Sequence, residues 1–300
     1  MRRRKTVRDI RTITKTMEMI AASRFAKAHR LASAAKPAAL ALEHILRDVL
    51  PSLGPGDHAL LRPPSGGPAA LLVVTSDRGL CGGYNSRVVA QVSRARAELA
   101  AQHSQVRLVA LGKKGMGMMQ HARDLPKPDR LVTGMGEGSL FARAAALAGE
   151  LMDDFTAGRL ERVRVVSQRM VGTSIFRPEV ATLLPVEVPR AEAGQHGAGI
   201  VSVRTDPAPE TSAQPVQYDF LPDRAGLVGA LLPLAVRLRL YRLLLEASLS
   251  EQIARMMAMR SATENTDDMI RALTLRINRT RQGQITTELS EIIGGAEALR

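Results

Sequence analysis

Tryptophan is absent from this chain of 300 residues, aromatics make up 3% of it, and cysteine occurs once, at Cys81. A lone cysteine excludes an intramolecular disulfide and any cysteine-based metal cluster. The histidines, His29, His44, His58, His103, His121 and His196, are scattered with no i,i+4 pair, so a helical zinc site is not expected. Long apolar runs are missing too. The longest, Ala225 to Val236, contains Pro233 and falls well short of the roughly eighteen residues a membrane span needs. No apolar stretch follows the basic N-terminus, so it does not read as a secretory signal, and the chain is expected to be soluble and cytoplasmic. Scarce stacking aromatics and the lack of a helix-turn-helix, zinc or RNA-recognition signature argue against a nucleic-acid partner.

Abundant instead are Ala, Leu, Met and Arg, which rank highest in helix propensity. The net charge is +13 and it is uneven: residues 1–30 hold ten Lys or Arg against only Asp9 and Glu18. A basic end of this kind seeks an acidic surface, whether nucleic acid, anionic lipid or protein.

Two long helical patterns frame the chain. In the first, Thr14, Met17, Ala21, Arg24, Ala28, Leu31, Ala35, Ala38, Leu42, Ile45 and Val49 alternate in steps of three and four, a thin heptad seam that Arg24 interrupts. Pro37 is a candidate kink. In the second, from about Leu234 to Ile293, Met256, Thr263, Ile270 and Ile277 form one row and Met259, Thr266, Leu273 and Thr280 its companion. Sixty helical residues reach roughly 90 Å, about three times the width of a small domain. Such helices must project, and they hide their apolar rows against each other.

Between them, "PSLGPGDHALLRPPSGGP" reads as a linker. The β-branched runs "LLVVTS", "VRLVALG", "VRVVSQRM" and "EVATLLPVEVP" then alternate with helical stretches, which predicts an α/β sheet. The expected organisation is an N-terminal helix over 1–50, a linker over 51–68, an α/β body over 69–222 with a mobile loop near 190–215, and a C-terminal helix over 223–300. The predicted fold is a long antiparallel coiled coil of the two end helices with an inserted Rossmann-like α/β domain.

The turn "DRGLCGGYNS" after the first strand invites a nucleotide reading, yet it lacks the Lys and hydroxyl of G-x-x-x-x-G-K-[ST] and the spacing of G-x-G-x-x-G. "GKKGMG" and "GMGEG" are partial lookalikes. No general base lies near Cys81 in sequence, so it reads as a packed hydrophobe. No residue is assigned a catalytic, cofactor-binding or metal-binding role. An α/β nucleotide-dependent enzyme with helical arms and a basic coiled-coil nucleic-acid binder stay open as alternatives.

Three segments together resemble the gamma subunit of F-type ATP synthases: "ITKTMEMIAASRF" (Ile13 to Phe25), "SDRGLCGGYNS" (Ser76 to Ser86) and the stretch from Ser250 to Leu299 beginning "SEQIARMMAMRSATENTDD". The resemblance implies a non-catalytic rotor shaft within a ring of alpha and beta subunits, next to epsilon and on the membrane ring of c subunits. It implies a peripheral place on the cytoplasmic side of the inner (plasma) membrane, and no cofactor. By resemblance, Arg281, Gln282, Thr286 and Glu288 are stator contacts at the upper end of the C-terminal helix. Lys15, Met17 and Arg255 are stator contacts lower down, and Arg78 faces the acidic levers of the catalytic subunits. Ile270, Leu273 and Ile277 are expected in the seam of the coil.

Overall fold

A computed structural model describes residues 2–54, 56–135, 139–171, 176–187 and 224–297. The loop expected near 190–215 lies outside them.

A long helix, α1 (Arg2–Val49), leads through two short 3-10 turns (Leu50–Ser52 and Ala59–Leu61) into an α/β body. The body contains β1 (Ala69–Val74), α2 (Tyr84–Ala100), β2 (Val106–Leu111), α3 (Lys113–His121), β3 (Arg130–Val132), α4 (Leu140–Thr156), β4 (Arg162–Met170) and β5 (Phe176–Leu184). The chain returns in α5 (Arg224–Glu297), a helix of 74 residues. The strand order is β3-β2-β1-β4-β5, parallel throughout except for β5, which runs antiparallel to β4. This is the order of a doubly wound sheet up to its reversed edge. β3 is absent from the sequence reading, because three residues of "RLV" carry no usable periodicity.

β1 shows why the body folds around it. All six of its residues are buried, as a central parallel strand covered on both faces demands. Ala69, Leu71 and Val73 pack against α2 and α3, while Ala70, Leu72 and Val74 face α4, α5 and the lower end of α1. Each fully buried Leu or Val contributes roughly 1.5–3 kcal/mol. The second layer therefore joins the body to both long helices in one core.

Beyond the body, α1 and α5 pack on each other in opposite directions. Glu43 pairs with Arg242, Thr14 hydrogen-bonds Thr263, and Arg11 pairs with Asp267, so rising numbers on one helix meet falling numbers on the other. Burial on α1 recurs every seventh residue: Val7, Thr14, Ala21, Ala28, Leu42 and Val49 are buried and Ala35 is half-buried. The companion row differs from the expected one. Glu18, Phe25, Ala32 and Ala39 are half-buried and Leu46 is buried, whereas Arg24, Leu31, Ala38 and Ile45 are exposed. The row through 14, 21 and 28 keeps its place, so the buried face is turned by half a residue, about 50°. That turn swings the guanidinium of Arg24 into water and brings Phe25 and Leu46 inward. Both prolines within the helices, Pro37 and Pro233, lie inside continuous helix.

Candidate functional site

The turn between β1 and α2 is held by a set of side-chain hydrogen bonds. Ser76 donates its backbone N–H to Asn85 Oδ1 (3.0 Å) and its hydroxyl to the Arg78 carbonyl (2.7 Å). Asn85 Nδ2 donates to Ser76 Oγ (2.8 Å) and meets Cys81 Sγ at 3.3 Å, so the buried thiol is packed inside the turn. Asp77 accepts from the N–H of Lys113 at the start of α3 and from the N–H of Gly134 after β3, tying three loops together. Gly82, with φ +55°, stands where an added Cβ would meet Ala258 of α5 at 3.7 Å. The glycine is required by the left-handed backbone, since a Cβ at that distance from Ala258 would make only ordinary contact.

α5 clasps this turn from outside. Arg255, 6% exposed, pairs with Glu251 at 2.7 Å and donates to Gln252, to the Arg78 carbonyl (3.2 Å) and to the Gly79 carbonyl (3.4 Å). Tyr84 donates its hydroxyl to the Ala247 carbonyl. Burial lifts the Glu251 carboxyl above its ordinary range, against the opposing pull of Arg255. Burial, followed by the charge of Glu251, pushes the Tyr84 phenol well above its own. The side chains of Ser76, Asp77 and Asn85 are engaged within the body, and the carbonyls of residues 78 and 79 are held by α5. The turn is a joint between the body and α5.

The expected contact residues separate into distinct environments. Arg255 is interior, its guanidinium committed within the chain to Glu251, Gln252 and the carbonyls of residues 78 and 79. Arg78 itself is exposed while its carbonyl is held by Arg255. Lys15 is exposed and paired with Glu18; Met17 is half-buried beside the α1–α5 contact. Arg281, Gln282, Thr286 and Glu288 all lie on bare helix, for every residue from 278 to 293 is exposed. Ile285, Leu289, Ile292 and Ile293 put an apolar stripe on that same stretch, with exposures of 48% to 70%.

Ile270, Leu273 and Ile277 are half-buried, all along the line where burial fades toward the tip. A fully buried part of the pairing lies lower, where Met259, Thr263 and Thr266 of α5 and Thr14 and Ala21 of α1 are buried and Thr263 meets Thr14. Sequence reasoning missed Glu251, Gln252, Asp77 and Asn85 as parts of the joint. The available signal was the i,i+4 spacing of Glu251 and Arg255, which reads equally as an ordinary surface pair.

The family model described as ATP synthase matches residues 1–299. The ATP synthase gamma chain of Pelotomaculum thermopropionicum is 35% identical over 298 residues, covering 99% of this chain and 97% of the relative. That of Anaeromyxobacter dehalogenans is 36% identical over 296 residues, covering 98% and 96%. Among solved structures, a chain of the Euglena gracilis mitochondrial ATP synthase (OSCP/F1/c-ring, rotational state 3) superposes with a TM-score of 0.61 at 17% identity, covering 99% of this chain and 92% of that one. A chain of the Tetrahymena thermophila mitochondrial ATP synthase central stalk and c-ring gives 0.55 at 19% identity, covering 84% and 99%. At these identities the two structures speak for the fold.

Proposed function

We infer the function from family: the chain belongs to the ATP synthase gamma chains, and it is the non-catalytic rotor-stalk subunit of an F-type ATP synthase. Its partners are the alpha and beta subunits of the catalytic hexamer, the epsilon subunit and the c-ring. Rotation of such a stalk couples ion flow at the membrane to nucleotide affinity in the hexamer, a reciprocal coupling of binding energies.

In the finer reading, the two end helices are an antiparallel coiled coil and the body between them a Rossmann-like domain. The seven-residue recurrence of buried positions on α1 supports the first, and the strand order supports the second. The observation that carries the rotor reading is α5 itself, which is clasped into the body at Arg255 and bare from 278 to 293. A helix that exposes Ile285, Leu289, Ile292 and Ile293 on one end needs a surrounding surface to cover them. Arg281, Gln282, Thr286 and Glu288 belong to this covered segment as stator contacts. Lys15, Met17 and Arg78 are contacts lower down. Arg2, Arg3, Arg4 and Lys5 crowd the N-terminus of α1, where the helix dipole is already positive. Their placement favours an acidic stator surface facing them.

No helix among the described residues is long and apolar enough to cross a membrane. The complex is membrane-associated, and the chain is assigned to its cytoplasmic side at the plasma membrane. Purification of a tagged chain from membranes tests the whole reading. Alpha, beta, epsilon and c subunits should accompany it in fixed ratio, and recovery of the chain with none of them would overturn it.

A further inference from the structure

Cationic side chains converge at the edge of the sheet opposite the β1–α2 turn. Strands β1, β2 and β4 begin there, at Ala69, Val106 and Arg162. A solvent-open depression of about 330 Å³ lies between the end of α2 and the segment leading to β3. Arg96 of α2, His103 of the α2–β2 connection and Lys127 ahead of β3 line it, together with Asp129.

Arg96 is half-buried, its Nε is shut off from solvent, and no acceptor among the described residues meets it. His103 is 7% exposed; its Nδ1 lies 3.1 Å from the Gly67 carbonyl and its Nε2, on the far edge of the ring, has no partner. Neighbouring carboxylates are engaged elsewhere. Asp129 accepts the N–H of Leu108 at 2.7 Å, and Glu161 accepts from the N–H and hydroxyl of Ser65 and the N–H of Gly67. A guanidinium Nε shut off from water without an acceptor is costly, as is a buried ring nitrogen without a partner.

We propose that this depression binds a small tetrahedral oxyanion, inorganic phosphate, held by Arg96, His103 and Lys127. A guanidinium fork matches two oxygens of such an ion, and Lys127 adds a point charge at the rim. With a proton on Nδ1 for Gly67, His103 offers Nε2 as an acceptor when the ring is neutral and as a donor when it is charged. Hydrogen phosphate has a hydroxyl for the first state and bare oxygens for the second, whereas an ionised carboxylate or a chloride has no hydroxyl to give. The charge of Asp129 and the carbonyl end of α2 oppose an anion, so the binding is weak and suited to an abundant ion.

Calorimetric titration of the full-length chain with inorganic phosphate, in about 0.1 M chloride to screen loose association, tests the proposal. One saturable site is expected, weakened about tenfold or more by Arg96→Gln and less by Lys127→Gln. Arg94→Gln removes the same charge from an exposed position of the same helix, where Arg94 pairs with Glu98, and should leave binding unchanged. No saturable heat with the unaltered chain, or an equal loss in Arg94→Gln, overturns it. A second arm uses phosphatidylglycerol vesicles. Sedimentation with them that Arg96→Gln abolishes, while free phosphate fails to bind, overturns the free-ion site and assigns the cluster to a lipid headgroup. Should Arg96→Gln fail to fold, amide exchange in the unaltered chain decides. Phosphate should slow exchange across residues 101–106, and unchanged exchange there overturns the site.

Discussion

The two ends of α5 are one unbroken helix put to opposite uses. From 228 to 255 its side chains are buried on several sides, and its charges meet partners: Arg242 with Glu43 and Glu246, Arg255 with Glu251. From 278 to 293 every residue is exposed, polar and apolar alike, and hydroxyls such as Thr286 turn back on their own helix carbonyls. The lower end is therefore specified by contacts within the chain. The upper end is held straight by backbone hydrogen bonds and helix propensity, and its side chains await a partner. A shaft needs both, because torque must enter through a rigid joint and leave through a surface that can slide past a surrounding ring.

Removing Arg255 attacks the joint and should have the largest effect. Arg255→Ala strands the Glu251 carboxylate, 19% exposed, and leaves the carbonyls of residues 78 and 79 without donors. Breaking a buried pair from one side costs about 3–5 kcal/mol, read by denaturant unfolding of the full-length chain. Adding Glu251→Leu should recover a large part of it. The pH dependence has a definite sign. Burial already raises the folded pKa of Glu251 above the ordinary carboxyl range, and loss of the guanidinium raises it further. A raised carboxyl binds its proton more tightly when folded, so its contribution to stability is present below the unfolded pKa and is lost as pH rises through the folded one. The deficit of Arg255→Ala should therefore narrow as pH falls from neutrality through the raised pKa of Glu251. A deficit that widens would mean that Glu251 is not the stranded group.

Leu273→Ala with Ile277→Ala weakens the middle of the comparison, where burial fades. Fully buried truncations cost about 2–5 kcal/mol; both residues are half-buried, so about 1 kcal/mol each is expected. In the assembled complex, ATP hydrolysis should persist while ion uptake per ATP falls, measured side by side in reconstituted vesicles. Strict proportionality between the two would remove these residues from torque transmission.

The polar pair below them should respond less. Thr263 Oγ1 lies 2.8 Å from Thr14 Oγ1, and both hydroxyls also reach carbonyls of their own helices. Thr14→Val alone should cost about 1 kcal/mol, and the double change with Thr263→Val less than the single, since apolar partners of equal shape replace both groups. A double-mutant cycle on thermal unfolding gives the sign. Additive losses would mean that the two hydroxyls do not couple.

Much of this comparison was legible before any coordinates. Long heptad rows gave the two helices, and the all-apolar "LLVV" gave the central strand, because each pattern follows one period over its whole length. The rotation of α1 was harder. Rows at 17, 24, 31, 38, 45 and at 18, 25, 32, 39, 46 both contain apolar residues. Only the exclusion of the Arg24 charge and the bulk of Phe25 decide between them. The clasp at Arg255 was not legible at all, because it joins residues 176 and 177 positions apart and is made to backbone carbonyls, which carry no sequence identity. Arg281 and its neighbours were legible only through family resemblance. Among the described residues their side chains meet nothing beyond their own helix.

That last point yields the smallest expected effect on folding. Arg281→Ala and Gln282→Ala remove side chains from bare helix, and alanine is the better helix former. Stability of the full-length chain should stay within the ~0.5 kcal/mol typical of surface substitutions. If the stator encloses this segment as proposed, the same changes should lower ATP turnover in the assembled complex, because the lost fork would leave a partner acceptor unpaired. Unfolding of the chain and turnover at matched subunit content are the two measurements. Unchanged turnover would return Arg281 to the solvent, and the contact surface would then rest on Ile285, Leu289, Ile292 and Ile293. A stability loss as large as that of Arg255→Ala would erase the distinction between the two ends of the helix.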